Sequence, residues 1–176
     1  MNQKIQSLIE QLRLQPHPEG GYYRETYRAP LEVVTPAHRE TRSAYTSIHF
    51  LLEGQQYSAW HRVASDESWF FHLGCDLQVF SLMPATQEPG KVVQVQTIGL
   101  SCGNFELTVP AGRWFAAKPV NEQAFSLVSC VVGPGFVFDD FEMASRQALV
   151  ADGYHSSEDW PLIESLIIKN KGDQDD

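Results

Sequence analysis

From residue 21 to residue 133 the chain is a succession of short runs rich in aromatic and β-branched side chains, each closed by a turn cluster. This punctuation constrains the fold more than any other feature, because runs of that kind bounded by Gly, Pro, Asn, Asp and Ser read as strands. Strands are expected at 21–28, 43–52, 57–63, 68–73, 76–83, 91–99, 104–109, 113–117 and 124–133. Their separators are Glu53-Gly54, Ser65-Asp66, Gly74, Pro89-Gly90, Ser101 to Asn104 and Pro110 to Gly112. Many short strands in one domain imply a sandwich or a barrel, and periodicity alone does not choose between them.

The flanks differ. Ile5, Leu8, Ile9 and Leu12 recur at helical spacing, so 3–14 is expected to be an amphipathic helix ended by Pro16, Pro18 and Gly20-Gly21. Residues 29–42, with Pro30, Pro36 and the cluster His38, Arg39 and Glu40, read as a longer loop. After residue 138 helix returns: a short piece over Phe141 to Ala151, and a second starting near Ser157, with Ser157, Glu158 and Asp159 as cap and first turn and Pro161 early in it. The acidic run Asp139-Asp140-Phe141-Glu142 is expected to start the first of these. The polar end, Lys169 to Asp176, is expected to fray.

A chain of 176 residues fits one domain, 1–176, with a barrel core at about 20–138 and a helical tail at about 141–168. Thirteen basic residues against 22 acidic ones give a net charge of −9, which argues against nucleic acid or an anionic membrane surface as partner. Cys75, Cys102 and Cys130 have no paired spacing, so neither a disulfide framework nor a cysteine zinc site is expected. No apolar run reaches the ~18 residues of a membrane span, and the N-terminus lacks the apolar middle of a signal peptide. The expected setting is cytoplasmic, and the expected partners are a small molecule and a second copy of the chain, paired through the N-terminal helix and the edge strand at 21–28.

Two stretches stand out for chemistry. His61 and Val63 lie two apart on one strand and share a face, with Glu67 beyond a short turn. Farther on, Pro110-Ala111-Gly112 precedes Arg113, Trp114 and Phe115. His61 and Glu67 are the expected catalytic pair: an imidazole oriented by a carboxylate suits proton abstraction beside a carbonyl. The plainer reading is a hydrogen-bonded barrel histidine. In 22–28, alternation places Tyr22, Arg24, Thr26 and Arg28 on one face. If that face lines the barrel mouth, Tyr22 and Arg24 bind the ligand, with Arg24 as a fork for a carboxylate or phosphate. Trp69 and Phe115 are the remaining ligand-contact candidates, although a tryptophan in a barrel wall is more often core. The chain carries neither a P-loop nor a Gly-x-Ser-x-Gly elbow.

These stretches resemble the two signatures of the cupin superfamily, small jelly-roll barrels (double-stranded β-helices). HPEGGYYRETYR (17–28), WHRVASDESW (60–69), VPAGRWFAA (109–117) and VVGPGFVFDDFEMA (131–144) are similar to its cupin-5 branch, over roughly residues 3–165. The resemblance implies a metal held by three His and one Glu. Here His61 and Glu67 occupy two of those positions, and Val63 and Phe115 stand at the other two. Zinc, iron or nickel would then have two donors where a catalytic site usually has three, unless His49, His72 or Glu25 were recruited. The implied activity is an isomerase or epimerase acting on a carbohydrate derivative without a metal. The alternatives are a non-catalytic binding module and a metal-dependent dioxygenase.

Overall fold

The structure is a computed structural model, and it describes residues 3–34, 41–84 and 90–168. The cluster His38, Arg39 and Glu40 and the tail from Lys169 lie outside the described residues. In chain order the elements are α1 (Gln3–Leu12), β1 (Gln15–Pro16), β2 (Tyr22–Arg28), β3 (Glu32–Val34), β4 (Thr41–Ser43), β5 (Thr46–Glu53), β6 (Ser58–Val63), β7 (Asp66–Gly74), β8 (Leu77–Leu82), β9 (Val93–Ile98), β10 (Glu106–Val109), β11 (Phe115–Pro119), β12 (Phe125–Gly133), β13 (Phe141–Met143), α2 (Arg146–Ala151) and α3 (Trp160–Ser165). All nine expected strands are present, with ends shifted by a few residues.

The strands form two antiparallel sheets in the jelly-roll arrangement, ordered β1-β2-β5-β12-β7-β10 and β13-β6-β11-β8-β9, while β3 and β4 pair separately. Alternation sends one set of side chains from each sheet inward. Phe50, Leu52, Trp69, Leu77, Val79, Ile98, Phe115 and Val128 meet there and form the barrel core. The outer faces are covered unequally. Ile5 of α1, with Leu8, Ile9 and Leu12 around it, packs on Leu51, Phe125 and Leu127 at one end of the larger sheet. The C-terminal segments pack Leu149, Tyr154, Ile163 and Leu166 on Trp60 and Trp114 behind the smaller sheet. The strand expected as an edge, β2, is partly covered, because β1 pairs with its Tyr22–Tyr23 end.

Two expectations in the tail are corrected. Residues 141–143 form a strand, not a helix, because Phe141, Glu142 and Met143 pair with Val63, Arg62 and His61 on the open side of β6. Edge pairing overrides the acidic run's suitability for a helix start, and α2 begins only after Ser145, whose hydroxyl accepts from the Ala148 N–H. Asp159 stands at the N-cap of α3, but its side chain does not cap that helix. Its carboxylate accepts from the N–H groups of Val92 and Val93 at 2.7 and 2.8 Å and so ties the tail to the start of β9.

Candidate functional site

A cavity of about 400 Å³ enters the barrel between the sheets. Its walls are Ile48, Phe50, Val63 and Val132, its mouth carries Phe136, Phe138 and Phe141, and its polar floor holds His17, Glu19, His61 and Glu67 beside Cys130. The floor is closed to solvent: His61 is 2%, Glu19 6% and Glu67 6% exposed.

His61 and Glu67 share the cavity as expected, but His61 has a different carboxyl partner. His61 Nε2 lies 3.2 Å from Glu19 Oε2. Glu19 arrives from the turn before β2, where its carbonyl accepts from the Ala59 N–H at 2.8 Å. That docking requires Gly20 and Gly21. Both have positive φ, and a Cβ on Gly20 would collide with the Tyr57 carbonyl oxygen. A glycine pair therefore lets the turn lie flat against β6 and deliver the carboxyl to the imidazole.

The hydrogen bonds assign the protons. His61 Nδ1 is 2.7 Å from the Ala59 carbonyl, which can only accept, so Nδ1 carries the hydrogen. Burial, aided by His17 and opposed by the Ala59 carbonyl, pulls the His61 pKa down to about 3. The ring is thus neutral and its Nε2 is an acceptor. Glu19 must then be protonated to bond to it. Burial, with repulsion from Glu67, holds the Glu19 pKa well above the ordinary carboxyl value, despite the Ser58 hydroxyl donating to Oε1 at 2.8 Å. His17 accepts from the Glu19 N–H at Nδ1, and burial lowers its pKa to about 4. The approach of Glu19 to His61 is accordingly a bond between neutral groups rather than an ion pair, and His17 meets Glu19 through the backbone N–H rather than through its charge.

Glu67 is the exception, since its proton is poised. Burial raises its pKa to about 7, with the Cys130 thiol and then the Trp69 indole moderating the rise. The Trp69 Nε1 faces the carboxyl without completing a hydrogen bond of good geometry. The Cys130 thiol is itself pushed upward by burial and by Glu67 and Glu19, so it stays protonated and donates.

The other sequence candidates fall elsewhere. The face of β2 that lines the cavity carries Tyr23 and Glu25, joined past a bulge by Arg28, and not Tyr22 and Arg24. Tyr22 packs beside α1, and Arg24 lies opposite His49 on the outer side of the sheet. Trp69 and Phe115 are core residues, with Phe115 packed on the His61 ring at a centroid distance of 4.0 Å. His49 and His72 sit together outside the barrel, and Glu25 is held by Arg28 at the mouth. Arg28 also donates to the Phe136 carbonyl at 3.2 Å, and Arg42 grips Asp140 at 3.0 Å, which fixes the aromatic mouth segment.

His17 and Glu19 are the site residues that sequence reasoning missed. The available signal was a His-Pro-Glu immediately before a Gly-Gly turn, polar residues where a strand was about to begin.

The donor set does not fit a tightly held metal. Val63 and Phe115 occupy two of the four positions that the cupin signatures give to ligands, and the His61 Nε2 is already engaged by Glu19. Among the described residues, no group of three or more His, Cys, Asp and Glu side chains could hold a metal ion.

Residues 6–144 match Cupin_5, described as Cupin superfamily (DUF985). The chain belongs to this family. Solved structures at 30% identity or more include two that match most of its length. A hypothetical protein from Leishmania major is 30% identical, covering 93% of this chain and 98% of its own, with a TM-score of 0.80. A protein from Shewanella oneidensis is 33% identical, covering 93% and 97%, with a TM-score of 0.76. More distantly, an L-ribose isomerase from Cellulomonas parahominis is 13% identical, covering 74% and 79%, with a TM-score of 0.52, and shares the fold alone. Among curated proteins, none matches this Cupin_5 chain.

Proposed function

We propose that this Cupin_5 protein takes a small polar metabolite into the barrel and moves a proton on it without a metal, as an isomerase or epimerase of a carbohydrate derivative. The observation that supports this reading is the Glu67 carboxyl, buried in the cavity floor with a pKa of about 7, where a general base and its acid form coexist at neutral pH.

The roles differ from the expected His61–Glu67 dyad. An imidazole whose pKa is about 3 is a poor base at neutral pH, so His61 is a positioning residue that holds the Glu19 hydroxyl. Glu67, as carboxylate, removes the proton from the carbon next to a carbonyl. The C–H electron pair moves into the carbon–carbon bond, and the carbonyl pair moves onto oxygen, where the Glu19 O–H donates after turning from the His61 Nε2 to the ligand. Glu67 returns its proton to the neighbouring carbon while the adjacent hydroxyl gives its own back to Glu19, and atoms and charge balance. The sugar-derivative assignment rests on fold-level analogy, as with the L-ribose isomerase that shares this fold, and this proton transfer is the chemistry such a substrate would need. A second reading, a binding module without turnover, is favoured by how completely His17, Glu19 and His61 satisfy one another.

The test pairs a thermal-shift screen of sugars and sugar derivatives with NMR detection of deuterium wash-in from D2O into each hit. Glu67→Gln should retain the thermal shift and lose at least about a hundredfold in exchange rate. Exchange at the wild-type rate in that variant overturns the catalytic reading. Hits that bind but never exchange leave the binding module in its place.

A further inference from the structure

On the side of the larger sheet facing away from the cavity, four polar side chains from four adjacent strands come together. Arg24 of β2 stands opposite His49 of β5, and His49 stands opposite Ser129 of β12. The His72 Nε2 of β7 lies 2.6 Å from the Ser129 hydroxyl. The His49 and His72 rings meet edge to face with centroids 6.1 Å apart.

The charge balance here differs from that around four other arginines. In this acidic chain Arg28, Arg42, Arg62 and Arg146 each face a carboxylate: Glu25, Asp140, Glu142 and Glu164. Arg24 faces imidazoles instead. Its Nε is buried without a hydrogen-bond partner, and so is the His49 Nδ1. Buried polar atoms in native proteins nearly always have a partner, so two orphans on one patch mark where an acceptor belongs. The group offers donors of fitting kinds: a planar guanidinium fork, two imidazoles, and a serine hydroxyl that is free to donate outward when His72 donates to it. Burial lowers the His49 pKa, and the neighbouring His72 and Arg24 add to that lowering.

We propose that Arg24, His49, His72 and Ser129 form an oxyanion-binding site on the outer face of the sheet, separate from the barrel cavity. Its ligand is a phosphate or carboxylate group, held by the Arg24 fork and the Ser129 hydroxyl. The site stands independently of any reaction at Glu67.

The experiment titrates inorganic phosphate, and separately acetate, at constant ionic strength and follows the imidazole C–H resonances by NMR. Saturable shifts of His49 and His72, with His17 and His61 unmoved, are expected. The stronger of the two anions identifies whether phosphate or carboxylate is the fitting group. Arg24→Met should weaken binding at least about tenfold, and Arg24→Lys, which keeps the charge and loses the fork, should fall between. Ser129→Ala, a milder change, should also weaken it. Absence of saturation with both anions, or unchanged affinity in Arg24→Met and Ser129→Ala, overturns the proposal. So does a light-scattering mass of two chains that drops to one in Arg24→Met without any anion shift, which would make this face a contact between copies.

Discussion

At the scale of single residues, the site depends on Gly20. Its positive φ and its contact with the Tyr57 backbone let the Glu19 carboxyl reach His61. Gly20→Ala would have to adopt a left-handed backbone and push β6 away. It is expected to cost at least about 2 kcal/mol in chemical denaturation and to free His61 from its partner. A shift of the His61 imidazole resonances in that variant tests the second half, and unchanged resonances would show that Glu19 reaches the ring without the turn. At this scale the sequence was only half legible. Both His61 and Glu67 could be placed in the barrel from their positions in the cupin-like motif, but the Glu19 partner could not, because the contact crosses 42 positions of chain and depends on a turn docking against a distant strand.

At the scale of elements, the tail is attached through a few polar contacts as well as its apolar face. Asp159 binds the two N–H groups that open β9, and the Trp60 indole donates to the Ile163 carbonyl at 2.8 Å. Asp159→Ala would leave those two backbone donors without their carboxylate and lower stability by about 2 kcal/mol, measurable as a lower urea midpoint. An unchanged midpoint would mean that Leu149, Ile163 and Leu166 hold the tail by burial alone. Element identity was well read where a run had internal pattern, as in the nine barrel strands. It was misread at 141–143, where the open side of β6 decides the conformation. The acids there serve ion pairs instead of a helix end, Asp140 with Arg42 and Glu142 with Arg62.

At the scale of the molecule, burying four titratable groups around one cavity sets the response to pH. Glu67 rises from 4.5 to about 7 and Glu19 is also raised well above 4.5, so between pH 4.5 and 7 the folded chain holds more protons on these carboxyls than the unfolded one, and both contributions fall as pH rises. His61 and His17 drop from 6.5 to about 3 and about 4, so their contributions rise with pH up to 6.5 and then level off. The opposed trends flatten the profile between pH 4.5 and 6.5. Below 4.5 the histidines destabilise the fold as they are forced to charge. Above 6.5 the carboxyls do so as they ionise. Glu67→Gln should therefore gain stability over wild type as pH rises from 4.5 to 7, by a few kcal/mol in denaturant titrations at each pH. A difference independent of pH would contradict the raised Glu67 value.

Taken alone, the sequence determined the positions of the barrel strands, which follow from local alternation and turn chemistry acting within a few residues. The choice of a jelly-roll, with His61 and Glu67 inside it, came from the resemblance of its motifs to the cupin signatures. The tertiary structure decided which face of β2 lines the cavity, and a bulge between Glu25 and Tyr27 brought Arg28 onto that face. It decided as well that Glu19 holds His61, that 141–143 pairs as a strand, and that Arg24, His49 and His72 gather outside. Each of those outcomes depends on which strands become neighbours, and neighbour choice is a property of the packed chain that no local pattern carries.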